Sequence, residues 1–420
     1  MTTPTPVSDT TAVSTGAAGE PRAAGEVPSP TAGGLSDRVL LAVTAAVTLP
    51  ILWMGYGTDI DVTDVLKTAT GIRHGHYQPS RTPGVPVFEG IAAVLDPIGG
   101  HLLLNLATAA AGAAAVVGLA RLVRAWGHAN GDLIALAFLA SPSTIIAATS
   151  TGDFIWAAAF LVWAALFHLR DRPALAGVLF ALAIGTRLSS GLIVLAFLVA
   201  DGWDRDRRRA CLRTGLVALP LGALLYVPSW LAFDRSSRFL HTAEGWRGAA
   251  NNLGRFAYKN YATFGGLFLV VMLVALPALV VALRRWGRDP MLRTGVLGLL
   301  ASEGLFLLLP WKYNHLLPCL VATLLWLGAS RRNTRPFLWV VIAALVVNGL
   351  VTFRPLAPDT PAEARGGEWD PTVTAGLLVN DIGCRLDAMD EPLQRLNGDA
   401  WPCTLEPMRG STAADDGVAG

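Results

Sequence analysis

The chain has 420 residues, 53% hydrophobic and 15% charged, with a mean hydropathy of +0.47 and a net charge of +2. A soluble domain carries about 25% charged residues, so a soluble enzyme, a disordered chain and a secreted disulfide scaffold are excluded. An outer-membrane barrel, with short alternating strands, is excluded by the length of the apolar runs.

Residues 1–36 are Thr, Ser, Pro, Ala and Gly with almost no large apolar side chains. Such a segment cannot offset its ordering entropy and is expected as a disordered tail. The first apolar run, Val39 to Met54, lies too far from Met1 for a cleaved signal peptide and reads as an uncleaved span. Ten or eleven runs of spanning character lie between Arg38 and Arg354; each needs about 20 apolar residues.

Directly after the first span comes Gly57-Thr58-Asp59-Ile60-Asp61-Val62-Thr63-Asp64. Val62, Val65, Leu66, Ala69 and Ile72 then recur at helical spacing, which predicts an amphipathic helix on the membrane surface. Helix capping accounts for one aspartate, but not for a cluster. Carboxylates at the membrane boundary are functional candidates. His74 and His76 follow, and two histidines do not define a metal site. Next is Tyr77-Gln78-Pro79-Ser80-Arg81-Thr82-Pro83-Gly84-Val85-Pro86-Val87-Phe88-Glu89, where Pro and Gly impose a fixed extended path. Arg81 at its centre suits bidentate phosphate binding, or pairing with Asp59 or Glu89. Glu89 opens the next apolar stretch, as a helix cap or a substrate contact.

Further along, Arg121 and Arg124, the turn His168 to Arg172, Arg205 to Arg213, Arg284 to Arg293, and Arg331 to Arg335 form short basic loops that belong in the cytoplasm. Only Pro173 to Ala200 separates two of them, interrupted at Gly185-Thr186-Arg187. Two short helices meeting at Arg187 satisfy this constraint, giving eleven crossing or half-crossing segments. The N-terminus is then cytoplasmic and the C-terminus extracytoplasmic. The lysines, Lys67, Lys259 and Lys312, all fall on the outer side, as does Asp153 in a short turn. A long outer loop, 234–262, holds Arg235, Arg238, Arg247, Arg255 and Lys259 and reads as a mobile cover or a helix on anionic headgroups. The expected organisation is a 1–36 tail, a 37–354 membrane domain, a 355–410 extracytoplasmic segment and a 411–420 disordered end. In an oxidising compartment Cys384 and Cys403 are expected to pair, with Cys211 and Cys319 free.

The acidic cluster after the first span, the surface helix and the Ser80-Arg81-Thr82-Pro83-Gly84-Val85-Pro86 stretch resemble the GT-C superfamily of membrane glycosyltransferases. Asp153 in the next outer turn, Arg187 at the tip of a short helix pair, and Lys312-Tyr313-Asn314-His315-Leu316-Leu317-Pro318 fit the same outline. The resemblance implies an all-α GT-C-like bundle in a bacterial cell membrane. It also implies transfer of a sugar from a polyprenyl-phosphate donor, with inversion, to an extracytoplasmic glycan, lipid or protein acceptor. On that reading Asp59 is the first candidate for the base, Asp61 the second, and Asp153 orients the acceptor. Arg81, Arg187 and Lys312 are the phosphate ligands, with His315 and Glu89 as further substrate contacts. A divalent metal ion shared by Asp59, Asp61 and Asp153 is an open option, although hard cations want more oxygen ligands.

Two other classes compete. A flippase or transporter of lipid-linked sugars would place charges deep in several spans. A non-catalytic membrane assembly protein would not need acids and phosphate-binding cations on one face. No nucleic-acid module or Walker motif is present.

Overall fold

The computed structural model describes residues 34–59, 61–235, 249–309, 313–356 and 369–389. Residues 1–33 of the expected 1–36 tail and the expected 411–420 end, together with Lys312, Arg238, Arg247 and Cys403, lie outside the described residues.

Helix α1 (Asp37–Thr48) is capped by Ser36 and stops before Pro50, so the first apolar run is helical only in its first part. Proline at that point cannot supply the next ladder N–H. Helix α2 (Asp61–Arg73) buries Val62, Val65, Thr68 and Ala69 against α3 (Pro86–Ala125). Helix α3 is kinked at Gly99 and Gly100. Helices α4 (Gly131–Ala140) and α5 (Pro142–Thr149) form a pair bent by 73°. Then follow α6 (Phe154–Leu169), the short pair α7 (Pro173–Thr186) and α8 (Ser190–Asp201), α9 (Arg208–Leu225) and α10 (Val227–Ala232). Helices α11 (Ala249–Ala282), α12 (Pro290–Leu308), α13 (Leu317–Ala329) and α14 (Arg335–Leu350) complete the bundle.

By length and composition, four helical stretches can cross a bilayer, or five if the bent pair is one span. Five shorter apolar helices accompany them among the described residues. The exterior is apolar, with Leu212, Leu216, Leu273, Val274 and Leu300 exposed. Such a continuous apolar surface suits lipid rather than water. Inside, small residues let helices approach: Gly177 of α7 packs on Val217 of α9, and Gly118 of α3 on Trp163 of α6.

One of the two readings of 234–262 was a helix, and Arg255 and Lys259 lie on the first half of α11. That helix continues into a span after a break at Gly265, where Asn348 of α14 donates to the Ala262 and Thr263 carbonyls. The fold is also not purely helical. Strand β1 (Val351–Leu356) follows α14 and pairs antiparallel with β2 (Trp369–Ala375), Val351 opposite Ala375. The apolar run extends through Phe353, so periodicity alone could not end the helix at Leu350. Helix α15 (Leu377–Met389) packs on α5 and α14.

The basic loops gather at one end of the bundle. Arg121 and Arg124 bind Asp37, Arg207 binds Asp171, and Arg293 binds Asp204 at 2.6 Å. Arg335 reaches Asp132, and Asn130 bonds Asn333. Asp153, Arg187 and the first long loop lie at the other end.

Candidate active site

The segment after α1 is clamped before it reaches the acids. Asn105 of α3 donates to the Leu52 and Gly55 carbonyls, at 3.1 and 2.6 Å. Thr151 donates its backbone N–H to the Tyr56 carbonyl at 2.7 Å. Gly57 has φ +105°, and a Cβ there would stand 2.5 Å from the Ser150 Cβ, so only glycine lets the two turns meet. Asp59 then starts α2: its Oδ1 accepts from the Asp61 N–H at 3.0 Å, and its carbonyl accepts from Val62 at 3.1 Å. This is the capping geometry that relieves unpaired helix N–H groups. Asp61 is the first residue of the helix.

Asp61, Arg81, Asp153, Arg187 and His315 converge. Arg81 bonds the Asp61 carboxylate through Nη1 and donates to Asp153 Oδ1 through Nη2 at 2.9 Å. Arg187, at the joint of α7 and α8, donates to Asp153 Oδ2 at 2.6 Å and to the His315 Nε2 at 3.1 Å. Its guanidinium also lies 3.8 Å from the Phe154 ring centroid, a cation–π contact. Asp153 is 3% exposed at its side chain. Burial alone would raise its carboxyl, but Arg187 and Arg81 outweigh that and hold it below the usual carboxylate range. It is therefore anionic at neutral pH. Burial likewise disfavours the Arg81 charge, and the carboxylates of Asp153, Asp61 and Asp59 more than restore it.

Glu89 does not join this cluster. It is fully buried on α3 and fixes the proline-rich loop from below. Its Oε1 accepts from the Ser80 N–H at 2.9 Å and hydroxyl at 2.6 Å, and its Oε2 accepts from the Tyr77 hydroxyl at 2.7 Å. Ser229 closes the set at 2.9 Å from Tyr77. Burial and the neighbouring Glu89 push the Tyr77 hydroxyl upward, so it remains a donor. Glu89 thus positions Arg81 through the loop. Lys67 is exposed beside Asp64, and His74 is exposed on its own helix turn.

A brace from the end of the described chain was not visible in the sequence. Asp381 and Arg385 of α15 are fully buried and paired at 2.8 Å. Asp381 accepts from Thr58 Oγ1 at 2.5 Å, while Arg385 donates to Ser150 Oγ at 2.5 Å and to the Thr149 carbonyl at 2.8 Å. The pair therefore ties the turn before Asp59 to the turn before Asp153. Its i, i+4 spacing was the available signal. Removing one partner of a buried pair costs about 3–5 kcal/mol. Arg385→Ala is expected to lower thermal stability in detergent and to reduce turnover with it, and Arg385→Lys to recover part of both. Cys384 on the same helix is disulfide-bonded, and Cys211 and Cys319 are free.

Glu303 is a further acid that the loop motifs do not point to. It stands in the apolar run of α12, accepting from Asn260 at 3.2 Å and from Cys319 at 2.9 Å. A lone acid in such a run is a functional candidate. A cavity of about 60 Å³, lined by Leu122, Trp126, Phe180, Phe197 and Leu325, is apolar. None of the residues of the charged cluster lines it.

Residues 90–310 match the sequence model of glycosyltransferase family 87. The chain belongs to that family. The match covers more than half of the chain and begins after the first long loop. ArnT from Cupriavidus metallidurans bound to undecaprenyl phosphate has a similar structure, with TM-score 0.55 and 19% identity over 72% of this chain and 61% of that one. The apo state of that protein gives TM-score 0.51 and 17% identity over 69% and 58%. This chain thus spans about three-fifths of the ArnT chains it matches. No curated protein sequence matches it. The family 87 chain is mostly helical, and its fold is similar to that of the ArnT membrane protein.

Proposed function

We propose that this glycosyltransferase takes its sugar from a polyprenyl-phosphate donor and passes it, with inversion, to a hydroxyl of an extracytoplasmic acceptor. The observation that carries this reading is the sharing of Asp153 by Arg81 and Arg187, with Asp61 on the other side of Arg81. Two guanidiniums converging at a bundle end can clamp a phosphate and stabilise it as a leaving group. The ArnT structure holding undecaprenyl phosphate supports the donor class.

In the reaction, the acceptor oxygen bonds to the anomeric carbon as the bond from that carbon to the phosphate oxygen breaks. The phosphate leaves with the electron pair, held by Arg81 and Arg187, and the acceptor proton passes to a carboxylate. Asp61 suits that role better than Asp59, because Arg81 bonds it directly whereas Asp59 Oδ1 is engaged in capping α2. Donor phosphate competes for Arg81 and so releases Asp61 from its resting ion pair. Lys312 would add a further cation from the chain preceding His315. Arg81 bonds both Asp61 and Asp153, so a divalent ion held between them would take its place there.

Membranes containing the protein, incubated with candidate polyprenyl-phosphate sugars, should release the free polyprenyl phosphate and a glycosylated product. Donor movement across the bilayer without either product would favour the transporter reading instead.

The proposed membrane placement puts the basic end in the cytoplasm and the Asp153 cluster outside, with eleven crossing or half-crossing segments and α2 along the surface. An impermeant thiol reagent on intact cells should label His76→Cys and leave Arg208→Cys unlabelled. Both positions are exposed. Gly84 is unsuitable as a probe, because a Cβ there would lie 2.9 Å from Ser229 Oγ. The reverse labelling pattern would invert the orientation and place the site in the cytoplasm.

A further inference from the structure

At the basic end, remote from the sugar-transfer site, three potential metal ligands from three helices meet. His168 ends α6, Asp201 ends α8, and Cys211 lies on α9; all three are buried. His168 Nε2 is 2.9 Å from Asp201 Oδ2 and 3.7 Å from Cys211 Sγ, and that sulfur is 3.5 Å from the same carboxylate oxygen. We propose that these side chains bind a zinc ion.

The triangle matches tetrahedral coordination. Bond lengths of about 2.3 Å to sulfur and about 2.0–2.1 Å to nitrogen and oxygen give edges of about 3.5 Å from sulfur and about 3.3 Å between nitrogen and oxygen. Only the His168–Asp201 edge must widen, by about 0.4 Å on that geometry. Thiolate, imidazole and carboxylate together select a borderline-soft ion such as zinc over magnesium or calcium.

The surroundings supply the outer contacts that a zinc site needs. Thr214 Oγ1 lies 2.8 Å from His168 Nδ1, which fixes the ring with Nε2 facing Asp201 and Cys211. Arg207 donates to Asp201 Oδ2 at 3.0 Å and is itself balanced by Asp171 at 2.9 Å. A thiolate and a carboxylate neutralise the dication.

A nucleophilic relay is a poorer account of the same residues. In a relay the acid sits on the ring nitrogen opposite the nucleophile. Here acid and thiol converge on the same nitrogen, and a hydroxyl occupies the other. The ion would join the far ends of α6, α8 and α9. Helix α8 descends from the joint that carries Arg187. Its role is therefore structural, anchoring that helix from the opposite membrane face.

The full chain, purified in detergent from zinc-supplemented cells and exchanged into metal-free buffer, should contain about one zinc per chain by elemental analysis. His168→Ala and Cys211→Ser should lose it, and Cys319→Ser should keep it. Cobalt loaded into Cys319→Ser should show thiolate-to-cobalt charge-transfer absorption, which would then come from Cys211. Chelation should lower the melting temperature, and added zinc should restore it. A folded, monodisperse wild-type protein with no bound zinc and no cobalt thiolate band would overturn the site, leaving a hydrogen-bonded network. The cobalt spectrum decides the matter even if Cys211→Ser does not fold.

Discussion

Asp61→Asn is expected to cut turnover by about 10²–10⁴-fold, the range for loss of a positioned general base. The amide keeps the size of the side chain and its place at the start of α2, so donor binding should change little. Asp59→Asn should be far milder, because an asparagine oxygen can still accept the Asp61 N–H. Single-turnover measurements at saturating donor distinguish the two. Equal and severe losses would show that Asp59 shares the chemical role, and full activity in both would remove the base from this cluster.

Arg81→Ala should act chiefly on the donor. Hydrogen bonds to charged groups are worth about 1.5–3 kcal/mol, so the donor KM should rise by about 10–100-fold. The truncation also leaves the buried Asp153 with one guanidinium instead of two, and some loss of turnover follows. Arg81→Lys should recover part of the binding, since an ammonium restores charge but cannot address Asp61 and Asp153 with one planar fork. A donor KM unchanged in Arg81→Ala, with the protein folded, would remove Arg81 from the phosphate site.

Much of this arrangement was legible where charge interrupts an apolar pattern. Arg187 stood out because a helix pair had to turn within Pro173 to Ala200, and Asp153 because it was an acid in a short turn between apolar helices. The partners were not legible. Thr58 and Asp381 are 323 residues apart, and Tyr77 and Ser229 are 152 apart. Local periodicity says which face is buried, but not which distant group will meet it. Glu89 shows the limit from the other side. Its charge drew attention as a possible substrate contact, yet its oxygens are filled by Tyr77 and Ser80. For Arg255 and Lys259 the sequence left a mobile cover and a helix open, and the residues are helical and run on into the span of α11.

The brace formed by Asp381 and Arg385 has a consequence for biosynthesis. Asp61 and Arg81 are translated early, yet the turns that aim them are pinned by a helix translated after every span described here. Until α15 arrives, Ser150 and Thr58 lack these anchors, and the turn before Asp59 is held by the Asn105 and Thr151 contacts alone. On the proposed function, full bracing of the site therefore waits on completion of the membrane domain, after the helices have inserted. A ribosome-stalled or prematurely terminated product would occupy the membrane with that site incompletely braced.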